Sequence, residues 1–102
     1  KTKAHDTAPA KFEIGSKVSN STISAGCRIR GTVTGSILGR NVIIERGAVV
    51  RDSIVMEGCI VKEGSVVEHA IVDRSNVIPA GTELRGTSEE ILIQRKNNKR
   101  VA

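Results

Sequence analysis

Two histidines, His5 and His69, two cysteines, Cys27 and Cys59, and a scatter of acids are the groups in this 102-residue chain that could do chemistry. A histidine can act as the base in acyl transfer or as a zinc ligand. His69 is the one to weigh, because it occupies a corner position in the column Asn20/Gly35/Asp52/His69. Zinc needs at least three converging ligands, and the only other histidine lies in the leader, so His69 reads as an exposed turn residue. The acids alternate with arginine and lysine instead of pairing, so no general acid and base stand out. GxGxxG, P-loop and nucleophile-elbow motifs are all missing. The residues therefore point to no catalytic site, no cofactor site and no metal site in this chain.

The elements that position these groups come from an internal repeat. NSTISAGCRIRGTVT (20 to 34), GSILGRNVIIERGAVVR (35 to 51), DSIVMEGCIVKEGSVVE (52 to 68) and HAIVDRSNVIPAGTELR (69 to 85) align with almost no adjustment. The last three copies have 17 residues each and the first is two shorter, a period just under three hexads that means a solenoid. Each copy holds three trios of small, apolar and branched apolar residues, each followed by a turn. Examples are Ser36/Ile37/Leu38, Val42/Ile43/Ile44 and Ala48/Val49/Val50. Short β-branched runs punctuated by Gly, Asn, Asp and Ser argue for strands. The first and third residue of a trio then face the interior and the middle one faces out. The expected fold is all-β, a parallel β-helix of about four coils stacked at about 4.8 Å. The hexad form resembles the left-handed class. That handedness comes from the resemblance, since parallel crossovers in general are right-handed. Residues 1–17 read as a leader, 18–94 as the β-helix and 95–102 as a basic tail. Phe12, the only aromatic residue, falls ahead of the coils and suits a narrow prism without room for a ring.

Cys27 and Cys59 fall in one inward column with Val42 and Asn76, two coils or about 9.6 Å apart. Cα atoms joined by a disulfide lie within roughly 7 Å, so these are expected to be reduced core thiols. That fits a cytoplasmic protein, as does the lack of a signal peptide or long apolar run.

The formal net charge of +5 and a pI near 9.7 would ordinarily suggest a nucleic acid partner. Arg95, Lys96, Lys99 and Arg100 supply most of the excess, and there are no aromatics for stacking on bases. No nucleic acid or membrane partner is expected. Within the coils the charges alternate down the stack: Arg40/Glu57/Arg74, Arg51/Glu68/Arg85, Arg46/Glu63 and Glu45/Lys62. These read as ion-pair ladders that fix register. Arg28 and Arg30, with no obvious acid above or below, are the candidates for an anionic effector. The outward stripes Ile37/Ile54/Ile71, Ile43/Ile60/Val77 and Val49/Val66 form an apolar surface on a scale that marks an interface. Ile37, Ile54, Ile71, Ile43 and Ile60 are the interface candidates.

Asn20, Ser21, Gly26 and Cys27, then Ser36, then Ser53 to Met56, then Ile71 to Asp73 with Ile78, Pro79 and Gly81, form an ordered set. It resembles the signature of the C-terminal β-helix domain of bacterial glucose-1-phosphate adenylyltransferases. The stretch KAHDTAPAKF is similar to the linker ahead of that domain, and the form looks closer to the regulatory-type second subunit of the glycogen pathway. The resemblance covers about residues 6 to 94. Departures are the basic tail and Glu45, Lys62 and Pro79, where the hexad often has Gly. The resemblance implies a truncated chain, consistent with a start at Lys1, whose N-terminal nucleotidyltransferase domain is missing. It also implies a parent enzyme that uses Mg²⁺ to make ADP-glucose and pyrophosphate from ATP and glucose 1-phosphate. This segment would serve contacts with the missing domain and other subunits, in a tetramer, and the effector response. Rival readings are a hexapeptide-repeat acyltransferase acting through His69, a different sugar nucleotidyltransferase such as a mannose-1-phosphate guanylyltransferase, and a freestanding scaffold.

Overall fold

The computed structural model describes residues 8–96, and His5, Lys99 and Arg100 lie outside them. Fifteen short strands run in chain order as β1 (Lys11–Phe12), β2 (Lys17–Ser19), β3 (Thr22–Ile23), β4 (Arg28–Ile29), β5 (Thr32–Thr34), β6 (Ile37–Leu38), β7 (Ile43–Ile44), β8 (Val49–Arg51), β9 (Ile54–Val55), β10 (Ile60–Val61), β11 (Val66–Glu68), β12 (Ala70–Val72), β13 (Val77–Ile78), β14 (Glu83–Arg85) and β15 (Leu92–Gln94). Every third strand pairs in parallel, giving three five-stranded sheets with orders β1-β4-β7-β10-β13, β2-β5-β8-β11-β14 and β3-β6-β9-β12-β15. We call these faces A, B and C. The four repeat copies are four full coils of a β-solenoid, each with one strand on each face.

The interior is built from the first and third positions of the trios. Leu38, Val42, Ile44, Ala48, Val50, Val55, Cys59, Val61, Val67 and Val72 are fully buried, and Ser36, Ser53, Ser65 and Asn76 lie with them. Most corners turn on a residue with left-handed backbone, the shortened one at Gly31 excepted. One corner uses Asn20, Gly35, Asp52 and His69, the next Gly26, Asn41, Gly58 and Ser75, and the third Gly15, Gly47, Gly64 and Gly81. Asn and Asp tolerate this conformation better than other side chains, and Gly adopts it without steric cost.

The inward serines do more than fill space. Ser21 Oγ accepts the Ser36 N–H at 3.0 Å, Ser36 Oγ accepts the Ser53 N–H at 3.1 Å, and Ser53 Oγ accepts the Ala70 N–H at 3.1 Å. The same hydroxyls donate to the carbonyls of Ser19, Thr34 and Arg51. One corner of the prism is thus laced by a hydroxyl ladder that satisfies amides with no strand partner.

Strand pairing begins earlier than residue 18. Lys11 and Phe12 pair in register with Arg28 and Ile29, and Lys17 to Ser19 pair with Thr32 to Thr34. The stretch escaped the repeat because it has no inward trio, and Phe12 on this end strand is half-exposed. At the other end the chain makes a short excursion closed by hydrogen bonds between Thr87 and Glu90. It then returns to lay Ile93 on Ile71.

Candidate functional site: the apolar face C

Three outward stripes were expected, and the structure separates them. On face A, Ile43 and Ile60 are half-buried while Val77, the last of that stripe, is 51% exposed, and on face B Val49 and Val66 are half-buried. On face C, Ile37 is 49% and Ile54 39% exposed, with Ile71 half-buried between Ile54 and Ile93. Ile37, Ile54, Ile71 and Ile93 stand in register on four successive strands. Ile93, itself well exposed, was not among the candidates. It follows Ile71 by 22 residues instead of 17, and only the Ile91-Leu92-Ile93 trio marked it.

Beside the isoleucines runs a second outward column, Gly39/Met56/Asp73, set by the inward Leu38, Val55 and Val72. Gly39 N–H bonds Val55 O at 2.8 Å and Met56 N–H bonds Val72 O at 2.9 Å, which fixes that register. Met56 is exposed and Gly39 has no side chain, so the face is grooved. The groove has a volume of about 360 Å³ and runs between Ile37, Gly39, Ile54, Met56, Glu57 and Arg74. Met56 and Gly39 were also missed, because the repeat drew attention to the trio and away from the residue after it.

The charge ladders form only in part. Arg51 Nη1 lies 3.3 Å from one Glu68 oxygen and Arg85 Nη1 2.7 Å from the other. Glu45 instead accepts the Glu63 backbone N–H at 3.2 Å. Among the described residues, Arg40, Glu57 and Arg74 form no ion pair, nor do Arg46 with Glu63 or Glu45 with Lys62. Arg51, Glu68 and Arg85 lie within paired strands of face B, whereas Arg40, Glu57 and Arg74 lie at a corner outside the strands.

Arg28 and Arg30 do have an acid. Glu13 Oε2 lies 3.5 Å from Arg28 Nη2 and 3.1 Å from Arg30 Nε. The Arg30 Nε–H itself makes no hydrogen bond of good geometry. The Arg30 guanidinium, with the Arg28 charge added, holds the Glu13 carboxyl below the ordinary carboxylate range against opposing desolvation. Glu13 precedes Arg30 by 17 residues, so the period itself carried the signal once the leader is read as a coil.

His69 Nε2 sits 3.7 Å from Asp52 Oδ2, at the same corner one coil away. Among the described residues no group of three His, Cys, Asp or Glu is placed to hold a metal ion. Cys27 and Cys59 are free and buried. Their thiols donate to Gly39 O at 3.1 Å and Asp73 O at 2.9 Å, and burial raises their pKa values.

A family model described as GlmU-like, C-terminal hexapeptide, matches residues 8–91. The chain belongs to this hexapeptide family. Two similar proteins are the glucose-1-phosphate adenylyltransferases of Streptomyces coelicolor and Streptomyces avermitilis, each 52% identical over 46 residues, or 45% of this chain. The Bacillus subtilis glycogen biosynthesis protein GlgD is 44% identical over 95 residues, or 93% of this chain. The resemblance read from the Asn20-to-Gly81 motif set thus agrees with the relatives' names. The matched segments cover only 12% and 11% of the two Streptomyces proteins and 28% of GlgD, so the chain spans a small part of the length of these relatives.

Proposed function

We propose that this hexapeptide domain is the assembly and regulatory solenoid of a longer protein of the glucose-1-phosphate adenylyltransferase type, working in glycogen biosynthesis. The observation that carries the reading is the 44% identity with a glycogen biosynthesis protein across 93% of the chain. Face C gives it a physical role. Exposed isoleucines in register on successive coils cost nothing only when something covers them.

In this reading the chemistry lies outside the chain. A nucleotidyltransferase domain would bind ATP and glucose 1-phosphate, and the sugar phosphate oxygen would attack the α-phosphorus with loss of pyrophosphate. In this reading the Mg²⁺ ion would belong with that domain, and no step is assigned to it. The solenoid would dock against the catalytic domain and neighbouring subunits of a tetramer. The two protonated core thiols support a reducing, cytoplasmic location. An anionic effector at Arg28 and Arg30 would have to displace the Glu13 carboxylate, which ties any such response to Glu13.

The test is Ile54→Lys in the longer protein. Light scattering should show loss of the assembly while circular dichroism keeps the β-sheet signal. ADP-glucose formation, read as pyrophosphate release, should lose its effector response. Unchanged mass and unchanged response would reject the reading.

A further inference from the structure

Residues 8–19 form a half-coil that lays β1 on β4 and β2 on β5 and so covers the end of the solenoid on faces A and B only. It brings little to the core. Phe12 is half-exposed and Ile14 fully exposed, and only Ala10 and Val18 reach the buried cluster, both in part. A cleft of about 220 Å³ enters the seam between the half-coil and the first coil, lined by Pro9, Lys11, Gly26 and Arg28. Chain ends with few buried apolar contacts open at the lowest free energies. Among the described residues, the ion pairs that cross this seam are those of Glu13 with Arg28 and Arg30, one carboxylate oxygen facing both guanidinium groups. We propose that Glu13 is a latch: it holds the half-coil closed on Arg28 and Arg30, and on release the half-coil opens as a unit while the four coils beneath stay folded.

The backbone bonds draw the seam sharply. Lys11, Glu13 and Lys17 N–H donate to Cys27, Ile29 and Gly31 O at 2.8, 2.9 and 3.0 Å, and Gly26 and Gly35 N–H donate back to Ala8 and Ser19 O at 2.7 and 3.0 Å. Arg28, Arg30 and Thr32 N–H, which lie between Gly26 and Gly35 in the chain, turn the other way and donate to Val42, Ile44 and Ala48 O in the second coil. Opening at the seam therefore frees Gly26 and Gly35 and leaves Arg28, Arg30 and Thr32 protected. Fraying of the whole first coil would free all five amides together. Ala10 stands one coil from Cys27 in the inward column, so opening also uncovers that thiol. Cys59 lies two coils further in and stays covered. An open half-coil bares the strand edges of β4 and β5 and sets both arginines free at once.

Residue-resolved amide exchange of this chain, followed by NMR, tests the latch. Gly26 and Gly35 should exchange together with Lys11, Glu13 and Lys17, at least about tenfold faster than Arg28, Arg30 and Thr32, as a cooperative local opening requires. Glu13→Gln should speed the first group about three- to tenfold, the effect of losing one or two partly exposed ion pairs, and leave the second group unchanged. Added salt should speed the first group in the wild type and not in Glu13→Gln, because ions screen an exposed pair. In the Glu13→Gln chain, iodoacetamide should modify Cys27 ahead of Cys59, read by peptide mapping, with circular dichroism confirming that the solenoid is folded. Equal exchange of all five amides, a first group indifferent to Glu13→Gln or to salt, or Cys59 labelled as fast as Cys27 would overturn the proposal.

Discussion

Ser53 is 3% exposed and sits in the middle of the hydroxyl ladder. Its Oγ donates to Arg51 O at 2.7 Å and accepts the Ala70 N–H at 3.1 Å. Ser53→Ala removes both bonds with almost no change in volume. Arg51 O keeps a donor, the His69 N–H at 3.1 Å, so the uncompensated loss is the Ala70 amide. A buried donor left without a partner costs about 1–3 kcal/mol, and we expect a loss near 2 kcal/mol. For a domain of this size that lowers Tm by about 8–15 °C. Thermal unfolding followed by far-ultraviolet circular dichroism measures it. Ala70→Ser is the internal control. The amide above it, Leu92 N–H, already bonds His69 O at 3.1 Å, so a new hydroxyl has no orphan to rescue and Tm should hardly move. A Ser53→Ala loss below about 2 °C, or an Ala70→Ser gain as large as that loss, would refute the ladder argument.

Glu13 is held below its ordinary pKa in the fold, so its contribution to stability is present above the unfolded value and lost as pH falls through the folded value. An NMR titration should place its carboxyl midpoint below that of an ordinary glutamate, and Arg30→Gln should move it back; no movement would mean the arginines do not hold it. Gly31 lies in the shortened corner, where an added Cβ would meet Ala48 O and come within 2.7 Å of Glu45 O, whereas at Gly64 nothing lies within 4 Å. Gly31→Ala should thus cost about 3 kcal/mol by overpacking and Gly64→Ala about 1 kcal/mol from left-handed backbone strain alone; the reverse order in urea titrations would count against this. Cys27 and Cys59, buried with raised pKa values, should react with Ellman's reagent only after denaturant is added, and rapid native labelling would show that the coils open at those thiols.

The interior was legible in the sequence because a solenoid repeats one local decision. Each inward position faces its equivalent in the next coil, so the columns Ser36/Ser53/Ala70 and Val42/Cys59/Asn76 carry the packing without any long-range inference. What escaped lay where the period breaks. Lys11–Phe12 has no inward trio, and Ile93 arrives after an excursion. Which charges pair also escaped. A 17-residue spacing places Arg40 over Glu57 as surely as Arg51 over Glu68, but only the pair inside paired strands has its side chains held side by side. For face C, the isoleucines were readable from β-propensity and alternation. The groove depended on Gly39 having no side chain beside an outward Met56, a relation between columns and not within one.

The division of the charges is itself informative. On face B, Glu68 satisfies two arginines at 3.3 and 2.7 Å, and the valines beside it are half-buried, so that face is nearly closed in charge as well as in apolar area. At the corner bordering face C, the alternating charges of Arg40, Glu57 and Arg74 find no ion pair among the described residues, and the adjoining isoleucines and Met56 are the more exposed ones. Exposed charges beside an open apolar stripe are the composition of an interface rim around its centre. Free energy gained within one chain would have favoured turning these side chains onto each other, as on face B. In the proposed reading, charges without an ion pair at the corner beside the groove favour face C over face B as the surface that would meet a partner.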